Sequence, residues 1–185
     1  MCDSKRWNIN SKKQILSTKI FNINEMDCHL PSKNLDHTFY GIELRSWVNI
    51  FALTDNDEVL LVRQHRLGGD AMTIEVPAGT IDSDDEDPKD AALRELKEET
   101  GYIADDIVLM NKIMVNPAIQ NNYCYFYFAK NCRYTGSTEF DETEDIELIK
   151  MPKDELFDKI YTNYIDNSLA LQAIMFGKMY LEKNK

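Results

Sequence analysis

Residues 88–101 constrain this chain more than any other stretch, because they set Glu95, Glu98 and Glu99 at i, i+3 and i+4 of a segment that reads as a helix. Asp87 can cap its start, Pro88 suits the first helical position, and Gly101 stands where a helix stops. Ala91, Ala92, Leu93 and Leu96 supply an apolar side opposite the charges. Three carboxylates on one face repel one another, and Arg94 can reach Glu98 one turn on but cannot balance all three. A hard divalent cation, Mg²⁺ or in its place Mn²⁺, can do so while keeping coordination positions for water and phosphate oxygens. For Glu-x-x-Glu-Glu taken alone, an exposed charged helix face is the ordinary alternative.

The distribution of charge says more than its total. The 185 residues carry a net charge of −11, yet residues 79–106 and 139–147 together hold 17 of the 32 acidic side chains. Outside those windows basic residues are in slight excess, so the negative charge is local, as expected where carboxylates gather to hold cations. The overall acidity argues against nucleic-acid or anionic-membrane partners. Cys2, Cys28, Cys124 and Cys132 form no CxxC pair, and MCDSKRWNINSKK lacks a secretory apolar stretch, so free thiols and a cytoplasmic location are expected. No apolar run reaches the ~18 residues of a membrane span. His29, His37 and His65 are scattered, and neither Gly-x-Gly nor Gly-Lys-Ser/Thr occurs, which removes a zinc site, the dinucleotide fingerprint and the P-loop.

Strand texture runs through QILSTKIFNI (14–23), HTFYGIEL (37–44), SWVNIFAL (46–53) and EVLLVRQ (58–64), with a turn at Asp55-Asn56-Asp57 and a short TIEVP strand after Gly68-Gly69. Beyond the carboxylate helix come strands near 107–115, 123–129 and 146–150. Two closing helices follow, PKDELFDKI and SLALQAIMFGKMYLEK, the second with core spacing at Leu169, Ala173, Phe176 and Tyr180. Strands interleaved with few helices imply an α/β or α+β sandwich.

The flanks of the helix are more specific. Gly79, Glu86, then Arg94-Glu95-Leu96-Lys97-Glu98-Glu99-Thr100-Gly101-Tyr102 resembles the Nudix box, Gly-x5-Glu-x7-Arg-Glu-apolar-x-Glu-Glu-x-Gly-apolar. Six residues rather than five separate Gly79 from Glu86, and the extra one fits the DSDD loop, with Asp85 the other occupant of the first acidic position. The resemblance implies a Nudix-fold α/β/α sandwich with a mixed sheet, residues 45–185, behind an N-terminal β extension of residues 1–44. It implies Mg²⁺-dependent hydrolysis of a nucleoside diphosphate linked to another group. Glu95 and Glu99 would ligate metal with the Ala78 carbonyl. Glu98, a further or water-mediated ligand, and Arg94, which pairs with the helix carboxylates, would complete the catalytic helix.

Three features resemble the ADP-ribose pyrophosphatases and related nucleoside-diphosphate-sugar hydrolases. In LLVRQHR followed by TIEVPAG, Arg66 would meet the diphosphate, which suits a planar guanidinium, and Glu75 a ribose hydroxyl or its network. Pro117 stands where ADP-ribose-preferring members carry proline, although NPAIQNN departs from their glycine-containing loop. In DETEDIELI, Glu144 would be the base that activates water, with Glu142 the competing choice. In this group the extension often swaps across a two-fold homodimer and stacks aromatic rings on adenine. Trp7, Phe39 and Tyr40 are available for that, although core packing is the expected fate of any one of them. GDP-mannose or another nucleotide sugar is the alternative substrate, and a non-catalytic nucleotide-sugar-binding regulator the alternative of a different class.

Overall fold

A computed structural model describes residues 5–82, 87–136, 138 and 145–184. The expected positions Asp85, Glu86, Glu142 and Glu144 lie outside the described residues. The chain divides into two compact units, Met1–Ser46 with Met114–Tyr123, and Trp47–Ile113 with Cys124–Lys185.

The smaller unit is a three-stranded antiparallel sheet in the order β1 (Asn8–Ser17), β2 (Phe21–Leu30), β3 (Leu35–Leu44). The run 14–23, which the sequence predicts as one strand, is instead the corner of the β1–β2 hairpin. Thr18 Oγ1 accepts hydrogen bonds from the Ile20 and Phe21 amides and donates to the Phe21 carbonyl, which folds the chain back on itself. Asn34, at φ 45°, makes the second reversal in the left-handed region that asparagine tolerates. The segment with Pro117 joins this unit beside β3, where Ile42 donates its amide to the Ile119 carbonyl at 2.7 Å.

The larger unit is a mixed α/β sandwich. Its sheet runs β11 (Glu147–Pro152), β5 (Glu58–Arg66), β4 (Trp47–Thr54), β10 (Tyr123–Tyr134), β8 (Tyr102–Ile103). Strands β6 (Ala71–Glu75), β7 (Ala78–Thr80) and β9 (Ile107–Met114) pair with β5, β4 and β10. The β4–β10 pair is parallel and its neighbours antiparallel. Because strand side chains alternate between faces, β4 and β10 feed two cores. Val48, Ile50, Ala52, Tyr127 and Ala129 face Ala91, Ala92 and Leu96 of α1 (Pro88–Thr100). On the other face Phe51 stacks on Phe128 and on Phe157 of α2 (Lys153–Lys159), while Phe126 meets Phe176 of α3 (Ser168–Lys183) edge-on.

Helix α1 has the ends its sequence implies: Asp87 accepts from the Lys89 amide, Pro88 opens the first turn, and Gly101 closes it at φ 71°. In α3 the buried stripe is Ala170, Ala173, Ile174 and Gly177, so the expected line through Leu169, Phe176 and Tyr180 is rotated to the margin. The reason is closeness. A Cβ on Gly177 would lie 2.4 Å from Phe51 Cγ, so small residues let the helix sit on the aromatic face of the sheet. Among the described residues no helix is long and apolar enough to cross a membrane.

Gly177→Ala therefore tests the packing. Alanine normally gains about 1 kcal/mol over glycine inside a helix, but a methyl forced into Phe51 should cost about 1–3 kcal/mol. Thermal unfolding followed by circular dichroism should show a melting point lowered by several degrees, and an unchanged or raised value would disprove the close contact.

Candidate functional site

Arg94 organises the carboxylate face of α1. Its Nη1 donates to Glu95 Oε1 at 2.8 Å and to Glu98 Oε2 at 2.9 Å, and its Nη2 donates to the Thr80 carbonyl at 3.1 Å. Asp82, which sequence reasoning did not single out, stands 3.3 Å from the same Nη2. One guanidinium thus draws acids of α1 toward the loop after β7. Glu99 is held differently: it is buried, and its Oε2 accepts the Ala78 amide at 2.9 Å. The Ala78 peptide and the Glu99 carboxylate are therefore adjacent through a bond that the box spacing alone does not specify.

Gly79 lets these elements meet. A Cβ there would stand 2.0 Å from Glu95 Cδ and 2.1 Å from Oε1, so the Glu95 carboxylate occupies the space that any other residue's side chain would fill. The requirement is close approach rather than an unusual φ. Among the described residues no group of three or more His, Cys, Asp or Glu is arranged as a metal cluster. Arg94 draws Glu95 and Glu98 to itself, and Glu99 turns to Ala78. The donor chemistry nevertheless fits a hard divalent cation: two helix carboxylates share one guanidinium, a third faces the Ala78 amide, the Glu95 carboxylate rests in the Gly79 notch, and all the donors are carboxylate oxygens.

A cavity of about 330 Å³ opens beside Ala78, Gly79 and Thr80, walled by Trp47, Asn49, Arg66, Glu75, Asn167 and Leu169. Arg66 and Glu75 come together here. The guanidinium donates to both carboxylate oxygens, Nε at 2.8 Å and Nη2 at 2.6 Å, and the Thr73 hydroxyl adds a third bond at 2.6 Å. The Glu75 side chain is only 4% exposed, whereas that of Arg66 is 46% exposed and reaches solvent. Burial by itself raises the Glu75 pKa, but hydrogen bonds from Arg66, Thr73 and Asn167 outweigh it and hold the carboxyl below its usual range. Asn49 contributes a buried amide whose nitrogen donates to the Val48 carbonyl at 3.0 Å and to Cys124 Sγ at 3.3 Å. Neither Asn49 nor Asn167 carried a sequence motif. Only the cavity identifies them.

In the smaller unit, Trp7, Phe39, Tyr40 and Pro117 line one cavity of about 670 Å³. Trp7 meets Phe39 edge-on with centroids 4.9 Å apart, while Phe39 and Tyr40 are exposed at 37% and 55%. Those two rings are thus surface groups and not core.

A family model described as the NUDIX domain matches residues 43–171. The chain is 27% identical over 165 residues to a methanol dehydrogenase activator of Bacillus methanolicus, covering 89% of this chain and 88% of that one. It is 25% identical over 167 residues to an ADP-ribose pyrophosphatase of Bacillus subtilis strain 168, covering 90% and 89%. A crystal structure of an ADP compounds hydrolase matches it with a TM-score of 0.85 over 97% of this chain and 96% of that one, at 21% identity, a likeness of fold.

The Glu75 linkage has a definite sign. A carboxyl whose folded pKa is depressed contributes stability above the ordinary carboxylate range and loses it as pH falls through the lowered value. Glu75→Gln should cost about 1–2 kcal/mol at neutral pH, allowing for the solvent exposure of Arg66. Urea titrations between pH 7 and pH ~3 should then show a shallower acid decline than in the wild type. A parallel decline would mean that Glu75 does not titrate as described.

Proposed function

The chain belongs to the Nudix family, and on that premise we propose that it is a divalent-cation-dependent hydrolase of ADP-ribose or a related nucleoside diphosphate sugar. The products are a nucleoside monophosphate and a sugar phosphate. The observation that carries this reading is the Glu95 carboxylate lodged at Gly79 and tied through Arg94 to Glu98, on the border of a cavity that presents Arg66.

Arg66 binds the anionic diphosphate; its planar donors match phosphate oxygens, and Glu75 sets its orientation from a buried position. Glu95, Glu99 and the Ala78 carbonyl would hold the cation, with Glu98 as a further ligand. When bound, Mg²⁺ or Mn²⁺ neutralises diphosphate charge and makes nearby water more acidic. Arg94 gathers the Glu95 and Glu98 carboxylates on one side of α1. Glu144 takes the proton from the water that attacks phosphorus in line with the leaving phosphate oxygen.

The wider reading is of a cytoplasmic homodimer acting on a small-molecule nucleotide, with no nucleic-acid or membrane partner. The exposed Phe39 and its neighbour Trp7 support base stacking by the N-terminal extension, residues 1–44, ahead of a catalytic domain of residues 45–185. The free cysteines Cys28, Cys124 and Cys132 are all buried, which suits a reducing compartment.

The test is product formation from ADP-ribose, GDP-mannose, UDP-glucose, NADH and diadenosine polyphosphates, with Mg²⁺ and with EDTA. AMP released chiefly from ADP-ribose and abolished by EDTA is the expected result. Preference for GDP-mannose would move the specificity and keep the chemistry. Tight binding without turnover would replace the enzyme with a regulatory module.

Gly79→Ala should leave the melting point within a few degrees, because the displaced group is the flexible end of Glu95, yet lower kcat by about 10²-fold or more. Normal turnover in that variant would remove Glu95 from the site. Glu144→Gln should lower kcat far more than it raises KM, and a larger loss in Glu142→Gln would transfer the role of base.

A further inference from the structure

The Arg66–Glu75 pair sits at the far end of a chain of contacts that begins in the core. Helix α3 is seated on the sheet by Gly177 against Phe51 and by Phe176 against Phe126. Its first turn is tied down by one side chain: Asn167 Oδ1 accepts the Leu169 amide at 2.9 Å and the Ala170 amide at 3.1 Å. Those two donors fix which end of the Asn167 amide faces the helix, since only the oxygen can accept them. The NH₂ end is thereby left for the cavity wall that Asn167 shares with Glu75 and Arg66.

Glu75 needs such support. It is 3% exposed and negatively charged, and its long-range partner Arg66 is a half-exposed side chain that can swing into solvent. A buried carboxylate with several donors keeps one orientation, and a guanidinium bonded to both its oxygens inherits that orientation.

We propose that Asn167 is a positioning residue for the substrate arginine: one amide both starts α3 and holds Glu75, so that the sheet and the C-terminal helix set the direction in which Arg66 presents its donors to an anionic ligand. The proposal rests on the reading of Arg66 as the diphosphate contact. Its consequence is that affinity for substrate depends on a side chain from the end of the chain.

The two roles of Asn167 separate by substitution. Serine and aspartate cap helices about as well as asparagine, so Asn167→Ser and Asn167→Asp should both keep the helix content of the wild type by circular dichroism, with the lower melting point in Asn167→Asp because its charge faces Glu75. Neither can donate an amide hydrogen to Glu75, and the aspartate adds a facing negative charge. For both variants KM for ADP-ribose should rise about tenfold while kcat stays within about twofold, with the larger KM in Asn167→Asp. The Nε–H signal of Arg66 in ¹⁵N spectra of the protein without ligand should lose its protection from solvent exchange in both.

Wild-type KM and an undisturbed Arg66 signal in the two stable variants would reduce Asn167 to a helix cap and overturn the proposal. Should serine fail to hold the helix, aspartate carries the comparison. If the wild type hydrolyses no nucleotide sugar, the functional reading fails by itself, whereas the Arg66 signal still decides whether Asn167 orients that side chain.

Discussion

The structure turns on a charge problem. Glu95, Glu98 and Glu99 repel one another on one face of α1, and the Arg94 guanidinium makes that face tolerable by bonding Glu95 and Glu98 at once. Its remaining reach goes to the Thr80 carbonyl, so the same side chain that offsets repulsion within the helix ties the helix to the end of β7. Glu99 adds a second tie through the Ala78 amide. Because these bonds converge on Ala78–Thr80, that short strand must run close beneath the helix, and only glycine at 79 leaves room for the Glu95 carboxylate.

Around that pairing the larger unit places its cores on two faces of one sheet. Residues of β4 alternate between α1 and the aromatic layer of α2 and α3, so a single strand carries the carboxylate helix on one side and the cavity-forming C-terminal helix on the other. The functional groups then need little freedom of their own. Arg66 ends β5 and Glu75 ends β6; the strands are antiparallel with Glu75 opposite Val62, so the Arg66 side chain reaches back along the sheet to bond it, while Asn167 caps the start of α3 far along the chain. Rigid elements carry every one of these groups, which is how a site holds its geometry before a ligand arrives.

Several features were legible in the sequence because their causes are local. Asp87, Pro88 and Gly101 act on the backbone within a few residues, and they bound α1 as expected. The pairing of Arg94 with Glu98 follows from helical spacing alone. The N-terminal hairpin was not legible, since the turn at Thr18 lies in an unbroken β-favouring run and depends on a hydroxyl-to-backbone bond rather than on glycine or proline. The stripe of α3 was displaced for a different reason. Periodicity finds large apolar residues, whereas the contact with Phe51 selects Ala173 and Gly177, the small ones.

By itself, then, the sequence determined the carboxylate helix, its ends, its arginine and the family to which the chain belongs, because each depends on residue type at fixed spacing along one element. Tertiary structure alone decided that Gly79 houses Glu95, that Glu75 is buried against Arg66, and that Asn49 and Asn167 stand in the same wall. Those facts join residues from separate elements, as far apart in the chain as Asn49 and Asn167. Their energies depend on burial and on which partner fills each vacant direction, quantities that exist only once the sheet and helices have closed on one another.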